Sequence, residues 1–170
     1  ASYNLEPASA AKKVMVVGAG PAGMEAARIA ALRGHDVTLY EKEGVVGGLL
    51  TFASLVKGPH ENLDELKAYL QRQCELAGVN VVTGTEVTDD IIANDGPDAL
   101  VWAVGGTRAE LDGGGADVLA IDDFMNAEGN VVVYGSNAQA CDVALWLTTH
   151  KRNVTVVTPS ANSDIDVQQS

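Results

Sequence analysis

The stretch from Val14 to Lys42, VMVVGAGPAGMEAARIAALRGHDVTLYEK, limits what this chain can fold into more than any other. It reads as a strand, a glycine turn, a helix and a second strand that ends in an acid. Val14 to Val17 form a short apolar strand, and Gly18-Ala19-Gly20-Pro21-Ala22-Gly23 supplies a G-x-G-x-x-G turn at its end. Gly18 permits the tight turn, Gly20 removes the Cβ that would hold a pyrophosphate off the backbone, and Gly23 lets the helix pack close to the sheet. The helix expected from about Ala22 to Arg33 aims its free amides and positive dipole end at the same place. An anion bound there needs no basic side chain.

In a chain with 18 glycines such a turn can arise by chance, so its surroundings decide. Ala26, Ala27, Ala30 and Ala31 recur at helical spacing, Gly34 stops the helix, and Val37-Thr38-Leu39-Tyr40 alternates as a strand. Glu41 follows Gly18 by 23 positions, where a carboxylate can accept hydrogen bonds from both ribose hydroxyls of an adenosine and would repel a 2′-phosphate. The competing reading is an ordinary α/β turn with an incidental surface glutamate. The whole unit, taken together, favours a dinucleotide.

With 170 residues and 46% apolar composition the chain can bury a core, built from Val, Ala, Leu and Ile because aromatics make up only 5%. A net charge of −12 disfavours nucleic acid and anionic membranes as partners, since phosphate backbones need clustered Lys and Arg. Lys12-Lys13 and Lys151-Arg152 read as solvated strand flanks. Neither a long apolar run nor a secretory leader is encoded, which predicts a soluble, cytoplasmic protein. Cys74 and Cys141 form no C-x-x-C, so no redox dithiol or cysteine metal site is expected, and both read as small buried residues. His35, His60 and His150 are scattered loop or surface histidines, and no metal ligands are assigned.

Residues 1–12 read as a linker. The loop from Glu43 to Leu50 carries Gly47-Gly48, a pair able to lie against a cofactor. Asn62 is read as the cap of a helix ended by Gly78, Val79 to Val82 as a strand, and Gly84 to Thr88 as extended backbone able to reach an adenine edge. Asp98 to Val104 is the next strand, stopping at Gly105-Gly106, and Thr107 to Gly115 a crossing loop. A poorer copy of the opening unit follows: strand Val131–Tyr134, turn Gly135 to Ala140, helix Cys141–Thr149 and strand Val154–Val157. Only the first of its glycines remains, and Thr158 stands where Glu41 stood. Residues 161–170 are a polar tail.

VMVVGAGPAGMEAARIAALRGHDVTLYEKEGVVGGLL, NLDELKAYLQRQCELAGVNVVTGTEVT and DALVWAVGG, in that order, resemble the nucleotide-binding C-terminal region of the NADH:flavin oxidoreductase family. Its members include the 2,4-dienoyl-CoA and enoate reductases and the trimethylamine, dimethylamine and histamine dehydrogenases. The similarity runs from about Pro7 to Pro159. It implies a three-layer α/β, Rossmann-like FAD/NAD(P)-binding fold with a mainly parallel sheet, incomplete at the C-terminus. Residues 13–128 would form the FAD- or ADP-binding domain and 129–160 the opening βαβ unit of a second, degenerate NAD-type domain. By the same resemblance Gly18, Ala19, Gly20, Pro21, Ala22 and Gly23 hold the pyrophosphate, and Glu41 the ribose. Lys42 borders the adenosine, Val87 meets the adenine through its backbone, Ala103, Val104 and Gly105 lie on the diphosphate side, and Gly48 and Leu49 run along the ribityl portion.

The resemblance also implies an FMN and [4Fe-4S] barrel preceding this segment as its partner, and electron relay between NAD(P)H and that barrel. In the reductase branch the first site carries FAD and the second takes NAD(P)H; in the amine dehydrogenases the first carries ADP and the second is vestigial. The Gly135 to Ala140 turn and the NVTVVTP ending at Pro159 look more like the amine dehydrogenase branch. No residue offers a general acid, a nucleophile or a dithiol, so no catalytic residue is assigned and the chemistry would be the cofactor's own. Short-chain dehydrogenases would need a Tyr-x-x-x-Lys pair, which is absent, and the AVGG block argues against a methyltransferase. An uncovered sheet edge would favour self-association or docking onto a partner.

Overall fold

The computed structural model describes residues 5–57, 61–106, 113–135 and 137–158. The chain divides into two compact units, Ala1–Thr107 and Arg108–Ser170. Residues 108–128, which the sequence reading places with the first unit, group with the second. His60, the tail from Ser160 and most of the expected crossing loop lie outside the described residues.

The first unit contains, in order, β1 (Lys13–Val17), α1 (Pro21–Leu32), β2 (Asp36–Tyr40), α2 (Leu49–Lys57), α3 (Leu63–Leu76), β3 (Asn80–Val82), α4 (Asp89–Asp95) and β4 (Ala99–Trp102). The strands pair in parallel in the order β3-β2-β1-β4, with Val14 opposite Val37 on one side and Ala99 on the other. Parallel pairing requires each connection to cross back over the sheet, which the helices do. Val14 through Val17 are all buried, so both faces of β1 are covered, as a near-continuous apolar strand requires. On one face Val14, Val16, Val37 and Leu39 pack against Met24 and Ala27 of α1 and Leu70 and Cys74 of α3. Full burial of a side chain such as Leu39 contributes about 1.5–3 kcal/mol. Successive strands step from β1 to β2 to β3 on one side, then the chain crosses to β4 on the other. The strand order therefore reverses between β1 and β4, where open α/β sheets place their ligands.

Several local expectations change. Asn62 precedes α3 but sits in the left-handed region (φ 53°) and makes no side-chain cap bond. A capping side chain needs an extended backbone to reach back over the first turn, so here only Asp64 and Glu65 complement the dipole. Helices α2 and α4 are additional; α4 is capped by Thr88, whose Oγ1 accepts from the Ile91 N–H at 3.4 Å, and ends at Gly96 with φ 58°. Lys13 is more than a solvated flank: with its side chain still 39% exposed, its Nζ donates to Asp95 Oδ1 at 2.8 Å and to the Asp95 carbonyl at 2.5 Å. The linker is also pinned in part, since the Ala8 N–H donates to the Arg33 carbonyl at 2.9 Å and Arg33 Nε to the Glu6 carbonyl at 3.2 Å.

The second unit has a 3-10 turn (Ile121–Asn126), then β5 (Asn130–Tyr134), α5 (Ala138–Thr149) and β6 (Asn153–Val157), the two strands parallel. Ala140, Val143, Ala144 and Leu147 face inward at helical spacing, which puts Cys141 on the outer side. Cys141 is exposed, against expectation, whereas Cys74 is buried. Arg152 is likewise pinned, donating through Nε to the Ala127 carbonyl at 2.8 Å. His150 is exposed and stacks on Trp146 at 3.7 Å, and His35 accepts from the Lys12 N–H at 3.1 Å. Among the described residues no helix is long and apolar enough to cross a membrane, and no cluster suits a metal ion.

Candidate functional site

The C-terminal ends of the parallel strands hold the glycine turn on both sides. Gly18 N–H donates to the Tyr40 carbonyl at 2.8 Å, and Ala103 N–H donates to the Val17 carbonyl at 2.8 Å, which ties the turn to β2 and to the residue after β4. Gly18 has φ +99°, and a Cβ there would lie 2.5 Å from the Ala103 carbonyl oxygen. A Cβ on Gly23 would overlap the Gly18 carbonyl oxygen. Around Gly20, by contrast, a Cβ would meet nothing within 4 Å. Two glycines close the packing and the third leaves an opening.

That opening sits at the start of α1. Gly20 is its N-cap, Pro21 takes the first helical position where no amide is needed, and no side chain caps the helix. The amides of the first turn therefore keep no side-chain acceptor, and their partial positive charge is undiminished by a local carboxylate within the helix, whose first turn has no acid. Lower on α1, Glu25 and Arg28 pair at 2.6 Å, and hydrogen bonding to Arg28 holds the Glu25 carboxyl below the usual range.

Glu41 ends up buried beside the turn, its Oε2 accepting from the Ala19 N–H at 2.7 Å and its Oε1 from the Glu43 N–H at 3.0 Å. Its backbone carbonyl accepts from the Thr85 N–H at 2.9 Å, and the Glu43 carbonyl accepts from the Gly84 N–H at 2.7 Å, so the loop leading to Val87 is tied to the same strand end. From the other side the Gly47 N–H donates to the Ala19 carbonyl at 2.9 Å, and Gly48, with φ +51°, lies so close that a Cβ would be 3.1 Å from Gly20 Cα. The structure thus brings Gly18 to Gly23, Glu41, Gly48 and Ala103 together. Val87 joins only through its loop, half-buried, while Lys42, Leu49 and Val104 are exposed around the rim. Lys42 pairs loosely with Glu43 at 3.9 Å, and Gly105, with φ +77°, is open. The sequence marks Gly84 to Thr88 as extended backbone near an adenine edge but gives no sign that the Gly84 and Thr85 amides bond to Glu43 and Glu41, because backbone donors carry no residue signature.

The copy in the second unit differs at its key point. Asn137 Oδ1 accepts from the Ala140 N–H at 2.9 Å, so the start of α5 is capped by its own side chain. Gly135 keeps φ +148°, with Ala140 3.2 Å from where its Cβ would be. A small cavity of about 70 Å³ in the first unit, lined by Met24, Leu39, Val46, Gln71, Cys74, Glu75 and Val81, lies under α3. It opens partly to the surface beside exposed Gln71 and Glu75. Burial raises the Cys74 thiol above its ordinary range, and its Sγ donates to the Met24 carbonyl at 3.2 Å.

Among curated proteins, the cinnamate reductase of Clostridium sporogenes is 35% identical over 160 residues, covering 91% of this chain and 24% of that protein. The NADH oxidase of Thermoanaerobacter brockii is 34% identical, covering 96% of this chain and 27% of that protein. Among solved structures, a 2-naphthoyl-CoA reductase in complex with 2-naphthoyl-CoA superposes with a TM-score of 0.80 at 36% identity, over 91% of this chain and 24% of that one. Histamine dehydrogenase from a Rhizobium species shares the fold, with a TM-score of 0.77 at 24% identity over 94% of this chain and 28% of that one. The chain spans about a quarter of the length of these relatives. Residues 12–162 match the pyridine nucleotide-disulphide oxidoreductase family, and with a Rossmann-like α/β fold to go with that match, the chain belongs to it.

Proposed function

We propose that the first unit binds the ADP half of FAD and serves as the dinucleotide module of a larger flavin-dependent oxidoreductase. The observation that carries this reading is the open space over Gly20 beside the uncapped start of α1, with the Glu41 carboxylate fixed at the turn's edge. A diphosphate fits that setting: backbone amides and a helix dipole supply the positive potential, and no side chain fills the place. Gly18 to Gly23 would receive the diphosphate, with Ala103, Val104 and Gly105 along its other side. Glu41 keeps lone pairs on both oxygens for ribose hydroxyls. Lys42 and the backbone at Val87 would flank the adenosine, and Gly48 and Leu49 the ribityl chain. When bound, a flavin supplies the oxidation and reduction, and this chain contributes binding and orientation.

In the whole protein the module would pass electrons between NAD(P)H and an FMN and iron–sulfur barrel in the cytoplasm. The second unit, where NAD(P)H would enter at Gly135 to Ala140, is proposed to hold it weakly, because Asn137 already occupies the Ala140 amide that a phosphate would need. That self-capped helix favours a second reading, in which the first site holds ADP as a structural ligand. The absorbance spectrum of purified protein separates the two. A band near about 450 nm identifies flavin, adenine absorbance alone identifies ADP, and failure to take up either after incubation refutes nucleotide binding.

A further inference from the structure

Both oxygens of the Glu41 carboxylate are engaged by backbone amides of the turn and its neighbouring segment. Glu41 is 9% exposed, and its two oxygens accept from the Ala19 N–H at 2.7 Å and the Glu43 N–H at 3.0 Å. Ala19 itself is 0% exposed, so its amide cannot turn to water if that acceptor is lost. Through its backbone Glu41 also donates its N–H to the Val82 carbonyl at 2.8 Å and accepts from the Thr85 N–H at 2.9 Å. One residue therefore joins the glycine turn, the Glu43 segment and the loop after β3. Hydrogen bonds from amides to a carboxylate are about twice as strong as neutral ones, which makes this the strongest tie holding the turn from the side of β2.

We infer that Glu41 is a positioning residue: its carboxylate shapes the glycine turn through the Ala19 amide, separately from any contact with a sugar. The inference rests on the reading that the turn receives a nucleoside diphosphate. Electrostatics gives the two roles opposite signs. If Glu41 served only the ribose, neutralising it would leave binding of inorganic pyrophosphate unchanged or tighter, because a nearby negative charge disappears. If it braces the turn, pyrophosphate binding weakens although repulsion has fallen.

The test uses the full chain as wild type, Glu41→Gln and Glu41→Ala. Amide hydrogen exchange is followed without ligand, and binding of inorganic pyrophosphate and of ADP is titrated. Gln presents one acceptor and one donor, so at least one of the Ala19 and Glu43 amides exchanges about tenfold faster, while Ala releases both. The amides of Val16 and Leu39 keep their protection in both variants, which separates loosening of the turn from unfolding. Pyrophosphate loses about tenfold in affinity in the Gln variant, and ADP at least as much, because its ribose contact is weakened as well. Unchanged exchange at both amides in the two variants, or pyrophosphate binding that matches or exceeds wild type while ADP alone weakens, overturns the inference. Should Ala unfold the unit, the isosteric Gln variant decides alone. If wild type binds neither probe, the nucleotide reading fails, and the exchange rates still judge the brace.

Discussion

Alanine at Gly23 and alanine at Gly20 have opposite consequences, although both positions belong to one turn. Gly23 is helical, where Gly→Ala ordinarily stabilises by about 0.5–1 kcal/mol. Here the new Cβ would overlap the Gly18 carbonyl oxygen and lie 3.0 Å from the Gly18 carbonyl carbon and 3.3 Å from Ala103 Cβ. The Gly18 atoms are backbone, held by the Gly18 N–H bond to the Tyr40 carbonyl at 2.8 Å and by the adjoining Val17 carbonyl, which accepts from the Ala103 N–H at 2.8 Å, so they cannot move aside cheaply. Overpacking of this kind costs about 1–3 kcal/mol, and a backbone obstacle sets it at or above the upper end. The steric term wins, leaving a net loss of about 2 kcal/mol or more, or a fall in Tm of about 4–8 °C for a chain of this size. Gly20 has φ −73° and open space but is the N-cap of α1, where alanine is the poorer residue, so alanine there changes stability by no more than about 1 kcal/mol in either direction. Its methyl nevertheless stands where the phosphates approach, and ADP affinity falls by about tenfold or more. Thermal unfolding by circular dichroism and calorimetric titration with ADP give both numbers. A G20A protein less stable than G23A, or one that binds ADP as wild type does, would refute this account of the turn.

Removing the α5 cap with Asn137→Ala should cost the second unit about 1 kcal/mol in urea unfolding, and nucleotide stoichiometry should stay at that of wild type. With a thiol-specific chromogenic reagent, exposed Cys141 should react fast and Cys74 only on unfolding, because burial raises the Cys74 thiol and keeps it neutral; Cys141→Ser should abolish the fast phase. Lys13 has its pKa raised, first by the hydrogen bond to Asp95, so the folded state holds that proton more tightly. Its contribution is complete below the ordinary lysine value of 10.5 and is lost as pH rises through the raised folded value. Lys13→Met should therefore flatten the alkaline fall in stability relative to wild type, measured by urea unfolding across that range.

What could be read in advance was local. From Lys13 to Glu41 the strand, turn and helix signals lie next to one another, and each is a short-range consequence of side-chain shape, so β1, α1 and β2 were legible within a residue or so. Helix α2 was missed because its apolar run follows a glycine pair that reads as loop. Cys141 was misread by residue type, although buried Ala140, Val143, Ala144 and Leu147 have the spacing that sends it outward. The fate of Lys13 depends on Asp95, 82 positions away, and nothing near either residue announces the pair. In the site, the glycines and Glu41 were visible, but the Ala19, Glu43 and Thr85 amides that bind to Glu41 were not. Which backbone groups meet is a property of the assembled sheet.

The pairing of β1 with β4 has a temporal side. Lys13 and Asp98, bonded across those strands at 2.8 Å, are 85 positions apart, and closing so long a span is entropically slow compared with the neighbouring β1–β2 contact. Until β4 docks, Gly18 has no Ala103 backbone to rest against and the glycine turn lacks a wall. A chain emerging from the ribosome would therefore assemble the proposed nucleotide site only once β4, made well after β1 and β2, has docked beside them.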